Sequence, residues 1–101
     1  MSGPGRMLEV ALFARGKFLG SRSFASSPIT IGRGPKSTLR LNDPAVSIDH
    51  AIITLTARSC VIEDLGSSNG TWFNKQRIKR RKIEDGDEYF VCSERIRFVL
   101  R

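Results

Sequence analysis

The chain has 101 residues, of which 40% are hydrophobic and 27% charged, and its formal net charge is +7. This composition is typical of one globular domain with its own core, and it excludes a disordered or fibrous protein. No apolar run approaches the roughly 20 residues that a transmembrane helix requires, so a membrane-spanning protein is not expected. Residues 1–6 lack an apolar signal segment and are interpreted as a flexible tail or cloning remnant, which leaves 7–101 as the domain.

Short apolar runs separated by turn residues dominate the sequence, and this pattern predicts an all-β sandwich. In chain order the predicted strands lie at 7–14, 18–24, 29–31, 39–41, 51–56, 60–65, 72–73, around 78, around 83, 88–92 and 96–100. Aromatic residues at strand spacing are predicted to be chiefly core, namely Phe73, Tyr89, Phe90 and Phe98. Trp72, which lies beside a predicted loop, is instead a candidate interface residue.

The two cysteines and the single histidine limit the kinds of disulfide, metal site or catalytic site that the chain can form. Cys60 and Cys92 lie in apolar, strand-like segments and are predicted to be buried free thiols, which indicates a reducing, intracellular compartment. His50 follows Ser47 by three residues, but neither a third orienting group nor a cluster with metal-ligand spacing accompanies the pair. We therefore expect no enzyme activity, no metal and no other cofactor.

Residues 64–74 read DLGSSNGTWFN and form the most informative segment of the chain. A strand ending at Asp64-Leu65 enters the small or turn-favouring residues 66–70, and an aromatic strand follows from Thr71. Glycine supplies positive φ in such a loop, while serine and asparagine hydrogen-bond to nearby backbone. Hydroxyls, an amide and free N–H groups in a fixed loop are the donors needed to hold an anion.

This segment and three others, taken in order, resemble the forkhead-associated (FHA) domain. The matching residues are Gly32-Arg33, Ser47-x-x-His50, Asp64-Leu-x-Ser-x-Asn-Gly-Thr71 with Asn74, and Asp85-Gly86-Asp87. The resemblance implies an FHA-type β-sandwich of about eleven strands, with binding loops at one end. It also implies a non-catalytic module that recognises phosphothreonine in a partner protein, in kinase-linked signalling or assembly.

By position, the resemblance assigns the phosphate to Arg33, Ser47 and Ser68, and the peptide backbone beside it to Asn69. These residue types suit the chemistry, because a guanidinium pairs with phosphate oxygens, hydroxyls donate to them, and an amide both donates and accepts. Loop-structuring roles go to Gly32, His50, Gly70, Thr71 and Asn74. Of these, His50 is expected to point inward and to brace two loops.

The residue after Ser47 departs from the family pattern, in which Arg, Lys or Asn is common. Ile48 stands there and Asp49 follows, so one contact is lost and a carboxylate lies near the phosphate. Lys36, in the loop after Arg33, is a candidate to compensate as a point charge; Lys36 and Ile48 are accordingly auxiliary positions. The main alternative function is an FHA-like scaffold that binds its partner without needing phosphate.

Six of the eight residues from Lys75 to Lys82 are basic and none is acidic. Without them 17 − 6 = 11 basic residues face 10 acidic ones, so the excess charge is concentrated in this basic run. Ile78 and Ile83 bracket the run and predict a strand–turn–strand. A solvated hairpin is the first interpretation and a subsite for acidic residues flanking the phosphothreonine is the second. Contact with nucleic acid ranks third, because no aromatic residues that could stack on bases are interleaved with the run. A monomeric domain with no membrane partner is expected.

Overall fold

A computed structural model describes residues 6–101 and confirms the predicted β-sandwich. The eleven strands are β1 (Leu8–Ala14), β2 (Lys17–Phe24), β3 (Ile29–Gly32), β4 (Leu39–Arg40), β5 (Ala51–Leu55), β6 (Cys60–Asp64), β7 (Thr71–Phe73), β8 (Gln76–Ile78), β9 (Arg80–Lys82), β10 (Glu88–Val91) and β11 (Glu94–Leu100). A six-stranded sheet has the order β2-β1-β11-β10-β7-β8, and a five-stranded sheet has the order β4-β3-β5-β6-β9. All the strand pairs are antiparallel except β3 with β4.

The core fills the space between the two sheets, because alternate residues of each strand point inward. In β5, for example, Ala51, Ile53 and Leu55 are buried while Thr54 is exposed. Burying a side chain of the size of Ile53 contributes roughly 1.5–3 kcal/mol. The strand pattern read from the sequence therefore corresponds to a continuous apolar interior.

Three aromatic side chains form a cluster in this interior. The ring of Tyr89 lies with its centroid 4.9 Å from that of Phe73 and 5.5 Å from that of Phe98. The prediction that Phe90 is also core is wrong, since its side chain is 47% exposed. Phe90 alternates with buried Tyr89 and Val91 in β10, so strand geometry turns it to the outer face of the sheet.

The basic run contains the two predicted strands, but they do not form a hairpin with each other. β8 pairs with β7 in the six-stranded sheet, whereas β9 pairs with β6 in the five-stranded sheet. Lys79 lies between them, and its carbonyl accepts a hydrogen bond of 2.8 Å from the Asp64 N–H. The run therefore crosses from the edge of one sheet to the edge of the other.

The two cysteines have different environments. Cys60 is buried in β6, and burial raises the pKa of its thiol to about 11. Cys92 is only half-buried, which contradicts the prediction made for it, because β10 ends at Val91 and Cys92 enters the turn with a φ of 57°. Both thiols are free.

The loops that carry the predicted site residues meet at one end of the sandwich. They are the β3–β4, β4–β5 and β6–β7 loops, joined by the short β10–β11 turn. At the opposite end, Met7 and Arg101 exchange backbone hydrogen bonds of 3.1 and 2.8 Å. The fold thus separates the candidate site from the region where the chain enters and leaves the domain.

Candidate functional site

His50 is fully buried, directly precedes β5 and connects two of the loops. Its Nδ1 accepts a hydrogen bond of 3.1 Å from the Ser47 N–H, and its Nε2 lies 3.0 Å from the carbonyl oxygen of Gly70. A backbone N–H can only donate, so Nδ1 must be unprotonated and Nε2 carries the proton that Gly70 accepts. His50 thus points inward and is hydrogen-bonded to both loops.

Arg33 follows β3 and is fixed by the neighbouring β4–β5 loop. Its backbone N–H donates to the Ser47 carbonyl at 3.0 Å, and its Nε donates to the Val46 carbonyl at 2.9 Å. These bonds orient the guanidinium and leave its two terminal amino groups as donors for a ligand. A planar cation held in this way is prepared to bind a tetrahedral anion through two parallel hydrogen bonds.

Ser47 and Ser68 are held together across the β4–β5 and β6–β7 loops. The N–H of Ser68 donates to the Ser47 Oγ at a distance of 3.1 Å. Because that oxygen accepts the bond, the hydroxyl proton of Ser47 is left to be donated elsewhere. Ser47 and Ser68 therefore lie side by side although they belong to different loops.

Asn69 joins the β6–β7 loop to the β4–β5 loop. Its Nδ2 donates to the Ala45 carbonyl at 2.8 Å, and its own backbone carbonyl accepts a bond of 2.9 Å from the indole Nε1 of Trp72. One shallow depression at the end of the sandwich is lined by Arg33, Ser47, Ser68 and Asn69, together with residues of the β4–β5 loop. The four residues that the sequence predicts to contact the ligand thus come from three loops that meet at one place.

Asp64, the last residue of β6, organises the β6–β7 loop. Its Oδ2 accepts from the N–H groups of Gly66 and Ser67 at 3.0 and 2.9 Å, and its Oδ1 accepts from the hydroxyls of Ser67 and Thr71 at 2.6 and 2.8 Å. Burial acts to raise the pKa of this carboxyl, but the Ser67 and Thr71 hydrogen bonds outweigh it and the pKa is lowered. The loop is thus hydrogen-bonded to Asp64 at both of its ends, and Asp64 is a residue to which the sequence pattern gave no role of its own.

The sequence pattern also gave Arg77 no role of its own, because Arg77 is one of six basic residues in the basic run. Its Nη2 donates to the Ser67 carbonyl at 2.8 Å, and its side chain lies across Gly70. A Cβ added at Gly70 would lie 2.6 Å from the Arg77 Nε, and the φ of Gly70 is 87°. The positive φ favours glycine at this position, and a larger residue would have to displace the Arg77 side chain.

The β3–β4 and β4–β5 loops also approach each other closely. A Cβ at Gly32 would lie 2.1 Å from the carbonyl oxygen of Ile48, so the backbones pack directly against each other. The β10–β11 turn supports the same region, since the Cys92 thiol donates to the Ala45 carbonyl at 3.1 Å and the Ser93 hydroxyl donates to Asp43 at 2.6 Å. This Ser93 bond is the main reason that the pKa of Asp43 is lowered.

Comparisons with known proteins agree with this geometry. A family model described as "FHA domain" matches residues 29–89, which are more than half of the chain. The chain belongs to the forkhead-associated family. The glycogen accumulation regulator GarA of Mycolicibacterium smegmatis is 35% identical to it over 86 residues, which cover 84% of this chain and 54% of that protein. The chain thus spans about half the length of the curated relatives it matches.

Solved FHA structures superpose closely on this domain. One, from a structural and functional analysis of phosphothreonine-dependent FHA domain interactions, has a TM-score of 0.83 at 25% identity and covers 92% of this chain and 95% of that chain. Mycobacterium tuberculosis EmbR, solved in complex with a low-affinity phosphopeptide, has a TM-score of 0.80 at 28% identity. That match covers 90% of this chain and 24% of EmbR.

The departures from the FHA pattern lie at the edge of the depression. Ile48 is 54% exposed and lines both this depression and a neighbouring one, which also contains Lys36 and Asp49. Lys36 is thus next to the group formed by Arg33 and Ser47 but lines a different depression. Its predicted auxiliary role remains a prediction.

Asn74 shapes a different loop from the one that carries the site. It occupies the two-residue β7–β8 turn with Lys75, and both residues have positive φ, of 49° and 64°. This is the backbone of a tight hairpin that asparagine tolerates better than most residues. The β6–β7 loop leads into Thr71, the first residue of β7, whereas this turn follows Phe73, the last residue. Asn74 therefore lies at the end of β7 that is farther from the depression.

The described residues also limit other kinds of site. Between residues 6 and 101 no helix is long and apolar enough to cross a membrane. Over the same residues, no group of three or more His, Cys, Asp or Glu side chains is arranged to hold a metal ion.

Proposed function

We propose that this FHA domain, taken as residues 7–101, is a non-catalytic module that binds a partner protein through a phosphothreonine. The observation that carries this proposal is the convergence of Arg33, Ser47, Ser68 and Asn69 on one depression. Each is already hydrogen-bonded to a neighbouring loop through one polar group, which leaves other groups for a ligand. Two free thiols fit an intracellular location for such a reader of kinase products.

In this mechanism the Arg33 guanidinium and the hydroxyls of Ser47 and Ser68 bind the phosphate oxygens. Asn69 holds the peptide backbone with its amide, exchanging the Ala45 carbonyl for peptide groups or sharing its donors between them. An unphosphorylated threonine offers the same donors only one neutral hydroxyl. It therefore replaces few of the hydrogen bonds that these donors make to water in the free domain. Phosphorylation of the partner therefore controls binding.

The test is a titration with an oriented phosphothreonine peptide library and its unphosphorylated counterpart. We expect the phosphorylated set alone to bind, and Arg33→Ala to weaken binding by about 10- to 150-fold, because a charge-assisted hydrogen bond contributes about 1.5–3 kcal/mol. Arg58→Ala is the matched control, since Arg58 is an exposed arginine of the β5–β6 turn, away from the depression. Equal losses in the two variants would contradict a phosphate-binding role for Arg33.

A second candidate function is a scaffold that binds its partner without phosphate. The observation that favours it is the pair Ile48 and Asp49, which are both exposed. Ile48 stands where a cation or an amide is common in the family, and Asp49 adds a negative charge beside it. The same titration separates the two functions. Equal affinity for phosphorylated and unmodified peptides would support the scaffold and overturn phosphothreonine recognition.

A further inference from the structure

The outer face of the six-stranded sheet carries a continuous row of aromatic and arginine side chains. In register across β2, β1, β11, β10, β7 and β8, this aromatic row consists of Phe18, Phe13, Arg95, Phe90, Trp72 and Arg77. Adjacent strands are about 4.8 Å apart, so the row extends roughly 24 Å across the sheet. The register of five strand pairs places these six side chains side by side although they are far apart in the sequence.

Four of the six side chains of the aromatic row are exposed, and the other two pack against each other. Phe18, Phe90 and Trp72 are 57%, 47% and 37% exposed, respectively. The Phe13 and Phe18 rings pack with centroids 5.5 Å apart, and the Arg95 guanidinium lies 4.3 Å above the Phe13 ring. An exposed apolar patch of this kind is a usual mark of an interaction surface on a monomeric domain.

One end of the row is bonded directly to the candidate peptide site. The Trp72 indole donates to the backbone carbonyl of Asn69 at 2.9 Å, and Arg77 donates to the carbonyl of Ser67 at 2.8 Å. The remaining members lie one or two residues from the strand ends that carry the loops. For example, Phe90 precedes the last residue of β10, and Arg95 is the second residue of β11. A chain leaving the depression beside Asn69 therefore reaches the aromatic row without crossing the rest of the domain.

The charged residues on and around this face indicate which kind of partner it binds. The outer face itself is basic, because it carries Arg77, Arg95 and Arg97 against Glu9 and Glu88. A second copy of the same face would therefore be repelled, and a partner with acidic groups is favoured. Among the acidic groups on this face, Glu88 lies 3.8 Å from Arg95 and Glu9 lies 3.1 Å from Arg101. The exposed residues Arg80 and Lys82 belong to β9 on the other sheet, so they do not form a cationic groove beside the row for a nucleic-acid backbone.

We propose that the aromatic row is a second docking surface for the phosphorylated partner, and that it receives apolar and acidic residues of the segment beyond the phosphothreonine. This inference rests on the proposed function, since the phosphate anchors the segment. A chain in extended conformation advances about 3.3 Å per residue, so roughly seven residues span the row. Apolar side chains of that segment contact the rings, and its carboxylates pair with Arg95 and Arg77.

The test selects flanking sequences directly. Peptides with a fixed phosphothreonine and twelve randomised residues on each side are selected on the wild-type domain, and the winners are trimmed to short cores with three residues on each side. We expect the long winners to be rich in Leu, Phe, Trp, Asp and Glu, and to bind at least about fivefold more tightly than their cores. Phe90→Ser and, independently, Phe18→Ser should remove this gain while leaving the affinity for the core within about twofold.

Met7→Ser is the matched control, because Met7 is 40% exposed but lies at the end of the sandwich opposite the loops. Thermal unfolding of each variant shows that the domain remains folded. Two results would overturn the docking surface: long winners that bind no more tightly than their cores, or an affinity gain that Met7→Ser removes as completely as Phe90→Ser does. Phosphate-dependent binding of the cores would remain in either case, so the proposed function would stand. Capture of unphosphorylated long peptides that Phe90→Ser abolishes would overturn the proposed function and support the surface.

Two further measurements test whether single-stranded nucleic acid or a second copy of the domain binds the aromatic row instead. A 12-nucleotide oligouridine that binds the wild-type domain and not Phe90→Ser would assign the row to single-stranded nucleic acid and overturn the proposal. Sedimentation showing a dimer that Phe90→Ser dissociates would assign the row to a second copy and also overturn it. A monomer that does not bind the oligouridine would support the proposed partner.

Discussion

The side chains of Arg33 and Ser47 each make one hydrogen bond to a neighbouring loop and keep further donors for a ligand. The Arg33 Nε is bonded to Val46, and the Ser47 Oγ accepts from Ser68. Side chains fixed before binding lose less conformational entropy when the ligand arrives, so more of each hydrogen bond contributes to affinity. The pre-existing bonds of these residues are therefore part of the recognition chemistry.

Ile48→Arg tests the residue that departs from the family pattern. Ile48 is 54% exposed at the edge of the depression, so a longer cation has room to reach the phosphate. We expect the affinity for a phosphothreonine peptide to increase about 10-fold, the effect of about one added charge-assisted bond. Isothermal titration measures it, with Ile48→Met as the uncharged control of similar size. An equal gain in Ile48→Met would show that shape and not charge limits binding.

Asp64→Asn tests the carboxylate that organises the β6–β7 loop. The native pKa of Asp64 is lowered, so its contribution to the free energy of unfolding is complete above the ordinary aspartate pKa of about 3.9 and is lost as pH falls through the native value. We expect the variant to be about 1–3 kcal/mol less stable at pH 7 and to show a shallower loss of stability on acidification. Urea unfolding between pH 7 and 3 measures both, and parallel curves would contradict the assignment. Asp43, whose pKa is also lowered, accounts for a remaining slope.

At the scale of elements, the β6–β7 loop is shaped by parts of both sheets. β6 supplies Asp64, and the edge strand β8 supplies Arg77, whose guanidinium holds the Ser67 carbonyl. The β4–β5 loop is attached to it through His50 and Asn69. Disturbing the packing of one strand at the sheet edge should therefore be detected in the binding loop.

Gly70→Ala and Gly66→Ala form a matched pair that separates backbone strain from packing. Both glycines have positive φ, of 87° and 76°, but a Cβ meets Arg77 only at Gly70 and has open space at Gly66. We expect both variants to lose about 1 kcal/mol from the left-handed backbone, and Gly70→Ala to lose a further 1–3 kcal/mol from overpacking. Chemical denaturation measures the loss, and only Gly70→Ala should also weaken phosphopeptide binding. Equal effects would mean that Arg77 does not determine the loop.

Alternation of apolar residues was sufficient to predict the strands, because each strand buries one face against the same core. It did not predict which strands pair, and so β8 and β9 were read as one hairpin. The motif residues Arg33, Ser47, Ser68 and Asn69 were predicted to meet, and they line one depression. The support from Arg77 was missed because an arginine within a basic run gives no local sign of a partner ten residues away. The outward direction of Phe90 could have been found from its buried neighbours in β10.

At the scale of the whole molecule, the basic run divides into arginines with structural contacts and exposed lysines. Arg81 lies 3.8 Å above the Phe73 ring, and Arg80 lies 4.0 Å from Glu63. An exposed pair such as Arg80 with Glu63 adds little stability. The lysines at 75, 79 and 82 are exposed and supply the charge that a distant anion would meet.

Replacing these three lysines with glutamine tests the remaining interpretations of the run. The net charge falls from +7 to +4, since three of the 17 basic residues are removed. We expect the free energy of unfolding to change by less than about 0.5 kcal/mol and the affinity for a short phosphopeptide by less than about twofold at physiological salt. Non-specific binding to DNA should fall, which filter binding at two salt concentrations measures. A large selective loss of peptides with acidic flanks would instead establish the run as their subsite. Arg81→Gln is the contrasting variant, because it should lower stability.

Met7 and Arg101 are hydrogen-bonded to each other at the end of the sandwich opposite the loops. Any polypeptide joined to the two ends therefore leaves from nearly the same point and on the side away from the ligand. Such a domain can be inserted within a longer chain, or attached by a single flexible tether, without stretching its host or obstructing its own binding loops. It then searches the volume that its tether allows, and the length of that tether sets the local concentration at which it meets a phosphorylated neighbour.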